Sequence, residues 1–241
     1  MEEKSKYASQ TIDSPSMLKR YSHNIRFSVG KKLLNIGKED IFLDYGGAEG
    51  AFSQTLINLS PKEIMIYEPP GDMTEGLKKN CAYVRERFDI NYTMESDISK
   101  IKDNYFNKIA LFEVLEHLSE NLTKEALQNI HRVITDDGVL VVSVPVEIGP
   151  AGLAKNLFRF FKGEDHDDIT LRNIARAFFG LPIYRGEYDY VNSHVGFNFY
   201  ITKKILENEG YKITKTTYSP FKIMGCLINS QAFFVCKKIL R

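Results

Sequence analysis

The chain has 241 residues, 43% apolar and 26% charged, which is the make-up of an ordinary globular protein with enough material to bury a sizeable core. Lys plus Arg number 32 against 31 Asp plus Glu, and the resulting net charge of +1 excludes a global electrostatic footprint for nucleic acid. Three scattered cysteines (Cys81, Cys226, Cys236) give no disulfide framework and no metal-ligand spacing, so no metal is expected; the polar start and the lack of an apolar run of about 20 residues predict a soluble, cytoplasmic protein.

In chain order, residues 1–13 read as an irregular tail. Ser14-Pro15 then caps a helix in which Leu18, Tyr21, Ile25, Val29, Leu33 and Leu34 recur at helical spacing, up to a stop near Gly37. Tyr21, His23, Asn24 and Arg26 form a polar cluster on this helix, read as a solvated face, with ligand contact as the alternative. Strands are predicted at 41–45, 63–67, 90–94, 108–112 and 138–144, with helices at 52–59, 73–87 and 124–134. Strands alternating with helices imply a parallel sheet with right-handed crossovers, hence a doubly wound α/β architecture.

After Pro145 the alternation breaks. Residues 146–195 hold helix-like stretches at 153–161 and 170–179 and no sheet strand, the pattern of a helical lid. A helix at 198–209, stopped by Gly210, and strands at 211–218 and 232–237 complete the pattern. The domain expectation is an N-terminal tail and helical cap over 1–37, a core made of 38–145 and 196–241, and an inserted substrate lid over 146–195.

The stretch Asp44-Tyr-Gly-Gly-Ala-Glu-Gly50 joins the first strand to a helix. Glycine there permits unusual backbone angles and close approach of a ligand to the main chain. An acid in such a loop repels the pyrophosphate of a dinucleotide and suits a cationic ligand instead. Glu68 follows at the end of the second strand, where a carboxylate can accept from ribose hydroxyls.

These residues resemble the glycine-rich first motif of class I S-adenosylmethionine-dependent methyltransferases, with Ala48 at the middle glycine position. Glu113-Val-Leu-Glu-His117 resembles a recurring phrase of the subgroup acting on small molecules and on quinone or lipid precursors. The resemblance implies a Rossmann-like, mostly parallel seven-stranded sheet with helices on both faces and an antiparallel last strand. It also implies S-adenosylmethionine as methyl donor, with S-adenosylhomocysteine as product. It assigns Asp44, Tyr45, Gly46, Gly47, Ala48 and Gly50 to the cofactor loop, Glu68 and Pro69 to the ribose, Asp97 and Ile98 to the adenine, and Phe112, Glu113 and Val114 to the pocket at the fourth strand's end. Asp97 capping a short turn is the alternative for that residue.

Glu116 and His117 are read as the start of the following helix. His194, His117 and Glu113 are the candidates for acceptor-side catalysis; Tyr188, Asp189, Tyr190, Glu147, His166, His23 and Arg26 are further groups that could face the acceptor. In Leu153–Lys162, the apolar Leu153, Leu157, Phe160 and Phe161 share a helical face, with Lys155, Arg159 and Lys162 distributed around it. That pattern suits packing of the lid onto the core, a greasy acceptor channel, or peripheral membrane contact. The implied function is methyl transfer to a small-molecule or lipid-like acceptor. A cofactor-binding scaffold without catalysis and a dinucleotide-dependent oxidoreductase are the alternatives, the latter disfavoured by Asp44 and Ala48. No Asn-Pro-Pro-Tyr-type motif follows the fourth strand, and no nucleic-acid partner is expected.

Overall fold

Short apolar runs flanked by helices set the sheet. The computed structural model describes residues 17–162, 169–183, 194–221 and 223–240, with side chains from residue 24 onward. Helix α1 (Met17–Leu34) is followed by β1 (Ile41–Tyr45), α2 (Ala51–Gln54), β2 (Glu63–Tyr67), α3 (Thr74–Arg87), β3 (Asn91–Glu95) and β4 (Phe106–Phe112). Then come α4 (Glu120–Val133), β5 (Ile134–Pro145), α5 (Gly149–Lys162), α6 (Leu171–Phe178), α7 (Phe199–Asn208), β6 (Tyr211–Ser219) and β7 (Gln231–Lys238). The strands hydrogen-bond in the order β3-β2-β1-β4-β5-β7-β6. The sheet is mostly parallel, with β7 antiparallel, as the family resemblance implies. Central β1 is buried from Phe42 to Tyr45, which is why it reads as a continuous apolar run rather than as an alternating one.

The described residues fall into two compact units. One runs through Phe112 and takes back Asn129–Val141 and the chain from Lys237; the other comprises Glu113–Gln128 and Val142–Cys236. In the first unit the strand order reverses between β1 and β4. Ligands of open α/β sheets bind at such a switch point, outside the carboxyl ends of the strands. The register is level there: Tyr45 pairs with Tyr67, and Tyr67 with Glu95, so the chain leaves three strands at one height, into Gly46, Glu68 and Ser96. Helix α1 lies against β4 through Gly30, where a Cβ would come within 2.6 Å of the Phe112 ring. Phe52 stacks edge-on against Phe112 and Phe42 and tilts against Phe27, with centroids 4.8, 6.0 and 5.4 Å away, which fixes the helix after the glycine loop.

In the second unit α5 and α6 share a small apolar core. Leu153, Leu157 and Ile183 pack on buried Ile169, Ile174 and Val195. Phe158, Phe160 and Phe161 are exposed, Phe161 by 80%, so the apolar face expected along α5 is divided: its first half packs inward and its last turn does not. Lys155 and Arg159 are not spread over a solvated face either. Both bind the Glu147 carboxylate, at 2.7 and 2.8 Å.

Other expectations shift in detail. The helix after the glycine loop stops at Gln54, and a separate 3-10 turn follows at Ile57–Leu59. Glu116 and His117 do not begin α4; they lie in a 3-10 turn, Leu115–His117, before it. Arg26 is buried at 7% rather than solvated, its guanidinium 5.6 Å from the centre of the Phe27 ring, whereas Asn24 is exposed. The tail, Ser14-Pro15, His166, Tyr188, Asp189 and Tyr190, and the side chains of Tyr21 and His23, lie outside the described residues. Among the described residues no helix is long and apolar enough to cross a membrane.

Candidate active site

The glycine loop is a tight, left-handed turn. Gly46, Ala48 and Gly50 have φ of 73°, 50° and 80°, alternating with residues of ordinary conformation. The Gly46 and Gly47 N–H groups donate to the Tyr67 carbonyl, at 2.8 and 3.3 Å, and Gly50 N–H closes onto the Gly47 carbonyl at 2.8 Å. At Gly47 space rather than backbone angle is what matters, because a Cβ there would stand 2.8 Å from both Asp44 Cγ and Ile66 Cγ2. The loop thus settles directly over the end of β1. Ala48 fits by taking up the left-handed angle itself, while its N–H donates to Glu68 Oε2 at 2.8 Å.

Two acids meet under and beside this loop. Asp44 is 3% exposed and accepts from Ser53 Oγ at 2.6 Å. Burial raises its pKa to about 6, against the opposing hydrogen bonds from Ser53. Half-buried Glu68 is raised to about 7, chiefly by burial, with the Ala48 N–H opposing and the nearby Asp44 charge adding to the rise. Two carboxyls whose ionisation is opposed by burial are best compensated by positive charge.

Asp97 caps the 3-10 turn Ile98–Lys100, its Oδ1 accepting from Ser99 N–H at 3.0 Å and from Ser99 Oγ at 2.7 Å. Those bonds lower its pKa. Asp97 is exposed, Ile98 half-buried and Pro69 exposed, all at the same sheet edge as the loop. Tyr45 is buried against Tyr67, with centroids 4.7 Å apart.

The second unit begins with a strained residue. Glu113, immediately after β4, has φ 55°, rare for a non-glycine residue and held only where the surroundings over-determine it. Here they do: Glu113 N–H donates to the Ser143 carbonyl at 3.0 Å, and Ser143 Oγ donates to Glu113 Oε1 at 2.9 Å. Val114 precedes the 3-10 turn that carries Glu116 and His117. The His117 and His194 rings stand edge to face with centroids 4.7 Å apart. Glu116 is fully buried, and one ligating atom from each of Glu116, His117 and His194 lies within 4.8 Å of the others. Flanking residues of the same two segments (Leu115, Leu118, Gly196 and Phe197) line a cleft of about 260 Å³ with Leu181, Ile183, Ile201 and Ile205.

Glu147 does not present a reactive carboxylate. It is 1% exposed, and although burial alone would raise its pKa, the Lys155 and Arg159 charges outweigh burial and hold it below the ordinary value. Sequence reasoning missed Ser53, Ser143 and the role of Glu116. Nothing in an isolated serine indicates that it will hold an acid, and Glu116 gains its meaning from His194, which is far away in the chain.

Residues 17–178 match the model of a family described as a methyltransferase domain. No curated protein sequence matches the chain significantly. Among solved structures, the cyclase SpnF aligns with a TM-score of 0.63 and 11% identity over 92% of this chain and 84% of its own. A protein from Pyrococcus horikoshii gives 0.62 and 15% over 97% and 96%. The 1,6-didemethyltoxoflavin-N1-methyltransferase of Burkholderia thailandensis, solved with 1,6-didemethyltoxoflavin and S-adenosylhomocysteine, gives 0.59 and 12% over 97% and 86%.

Proposed function

The chain belongs to this methyltransferase family and uses S-adenosylmethionine, and we propose that it transfers the methyl group to a small, partly apolar or lipid-like acceptor. The observation that carries the acceptor reading is the cleft built from the segments that carry His117 and His194, whose walls are mostly aliphatic, with Phe197 and the polar Glu120, Thr123, Asn198 and Thr202 among them. The Burkholderia thailandensis enzyme, similar in fold, is named for methylating the small molecule 1,6-didemethyltoxoflavin.

On this reading Asp44, Tyr45, Gly46, Gly47, Ala48 and Gly50 receive the donor, Glu68 with Pro69 the ribose, and Asp97 with Ile98 the adenine. Phe112, Glu113 and Val114 complete the donor's surroundings. Two carboxylates raised by burial, Asp44 and Glu68, support a ligand whose sulfonium and amino groups are cationic. Methyl transfer is an in-line displacement at a carbon already activated by the sulfonium, so the leaving group needs no proton. Much of the rate comes from holding the nucleophile in line and excluding water. Any proton to be removed comes from the acceptor; His194 and His117 are the residues that would take it, with the braced carboxylate of Glu113 as a further candidate. Residues 146–195 act as the substrate lid.

The reading is tested by calorimetry followed by a methylation screen. S-adenosylhomocysteine is expected to bind and NADH not to, and Glu68→Ala to weaken the former by about tenfold or more, the loss of about 1.4 kcal/mol of hydrogen bonding. Mass detection of products from small-molecule extracts should then find a methylated compound. Preference for NADH, or transfer only to protein or nucleic acid, would overturn it. Intact homocysteine binding with no transfer to any acceptor would favour a non-catalytic scaffold.

A further inference from the structure

We propose that Glu116, His117 and His194 form a binding site for one divalent first-row transition cation of the zinc type, with open coordination positions for an oxygen ligand. The three ligating atoms converge within 4.8 Å of one another. Two ligands on a tetrahedral zinc ion stand about 3.4 Å apart at bonds of roughly 2.0–2.1 Å, so closure needs side-chain movements of at most about 1.4 Å in any pair. Two imidazoles with one carboxylate make a donor set suited to zinc, iron or nickel rather than to magnesium or calcium, which prefer all-oxygen cages. Three protein ligands leave at least one position open, the arrangement of catalytic rather than structural zinc sites.

The ligands sit on well-held backbone. Glu116 and His117 occupy a 3-10 turn closed by His117 N–H to the Val114 carbonyl at 3.0 Å, with Leu115 beside them 3% exposed. His194 begins a turn closed by Phe197 N–H to its own carbonyl at 3.0 Å, and the next residue, Val195, is 1% exposed in the core shared with α5 and α6. Burial also differs across the set. The carboxylate is fully buried, while both imidazoles are half-exposed. The cleft lined by Leu115, Leu118, Gly196 and Phe197 is built from the same two segments, and an acceptor hydroxyl would be the fourth ligand. This last consequence rests on the methyl-transfer reading: a bound cation would lower the pKa of such a hydroxyl, which would release its proton to solvent and leave the oxygen a better nucleophile, taking over the work otherwise given to a histidine base.

The test uses the full chain without an affinity tag, stripped with EDTA and titrated with Zn²⁺ by calorimetry and with Co²⁺ by its visible absorption. One ion per chain is expected, weaker below about pH 6 because protons compete for both imidazoles. His194→Ala and, separately, His117→Ala should each weaken binding by on the order of a hundredfold, since losing even a residue that merely supports a metal ligand costs about ten- to a hundredfold. Retained S-adenosylhomocysteine binding shows that these variants are folded. Absence of stoichiometric binding to the wild type, or equal binding by the doubly substituted protein, overturns the site. That result together with metal-independent methylation would leave the methyltransferase reading standing; stoichiometric binding lost in the variants, in a chain that methylates nothing, would sustain the site and remove its assigned use.

Discussion

Replacing Glu68 by glutamine should change how stability depends on pH, because the folded protein holds two acids that resist ionisation. Asp44 moves from 3.8 to about 6 and Glu68 from 4.5 to about 7, both mainly through burial. Each carboxyl therefore binds its proton more tightly folded than unfolded. Its contribution to stability is fully present below the unfolded value and is lost as pH rises through the folded one. Between pH 5 and pH 8, at about 1.4 kcal/mol per pH unit, the loss is about 1.4 kcal/mol for Asp44 and, after solvent screening of the half-buried group, about 2 kcal/mol for Glu68. Glu68→Gln keeps an acceptor for the Ala48 N–H and removes only the charge. Urea unfolding of the cofactor-free protein and the variant at both pH values isolates the difference, since groups other than Asp44, whose charge adds to the rise at Glu68, titrate alike in the two. The variant should gain about 2 kcal/mol on the wild type between pH 5 and pH 8, and S-adenosylmethionine, bringing positive charge, should narrow that gap. Parallel stability curves, or a variant that loses ground at pH 8, would refute the reasoning.

Two neighbouring substitutions in the loop should act in opposite directions. Gly47→Ala forces a methyl to 2.8 Å from Asp44 and Ile66 and should cost about 1–3 kcal/mol by thermal unfolding, whereas Ala48→Gly relieves a left-handed alanine and should gain about 0.5–1 kcal/mol. Glu147→Gln leaves the Lys155 and Arg159 charges facing a neutral amide and should lower stability by about 3 kcal/mol in urea unfolding.

Much of the donor half was legible because its signals are local. β2 and β1 have the predicted limits, Glu63–Tyr67 and Ile41–Tyr45, since each is an apolar run cut off by a turn residue. Gly46 and Gly50 adopt the left-handed angles for which glycine was read. Ala48, at the middle glycine position, is less legible: the backbone accommodates its methyl by a left-handed angle that no composition rule reveals. On the acceptor side, Leu115-Glu116-His117 looks the same on paper whether it opens a helix or closes a short turn, and the difference decides where Glu116 points. The approach of His194 to His117 is a product of tertiary packing, so a search by ligand spacing passed over it. Arg159 and Lys155 looked like surface charge because their partner, Glu147, lies just before the helix that carries them.

The interleaving of the two units has a consequence for synthesis. The first unit holds Asp44, Glu68 and Asp97 by residue 97, yet Asn104 and Tyr105 give their N–H groups to the carbonyls of Arg132 and Val133. Its last ties come from Lys237, which binds the Asp137 carbonyl, and Lys238, which meets Asp136 at 3.1 Å. On the ribosome, therefore, the first half of the message cannot finish its own fold. It waits, with its sheet edge provisional, until almost all of the second unit has emerged; long-range closures of this kind slow folding. An early stop codon would thus spare every donor-loop residue and still leave the unit that carries them incomplete.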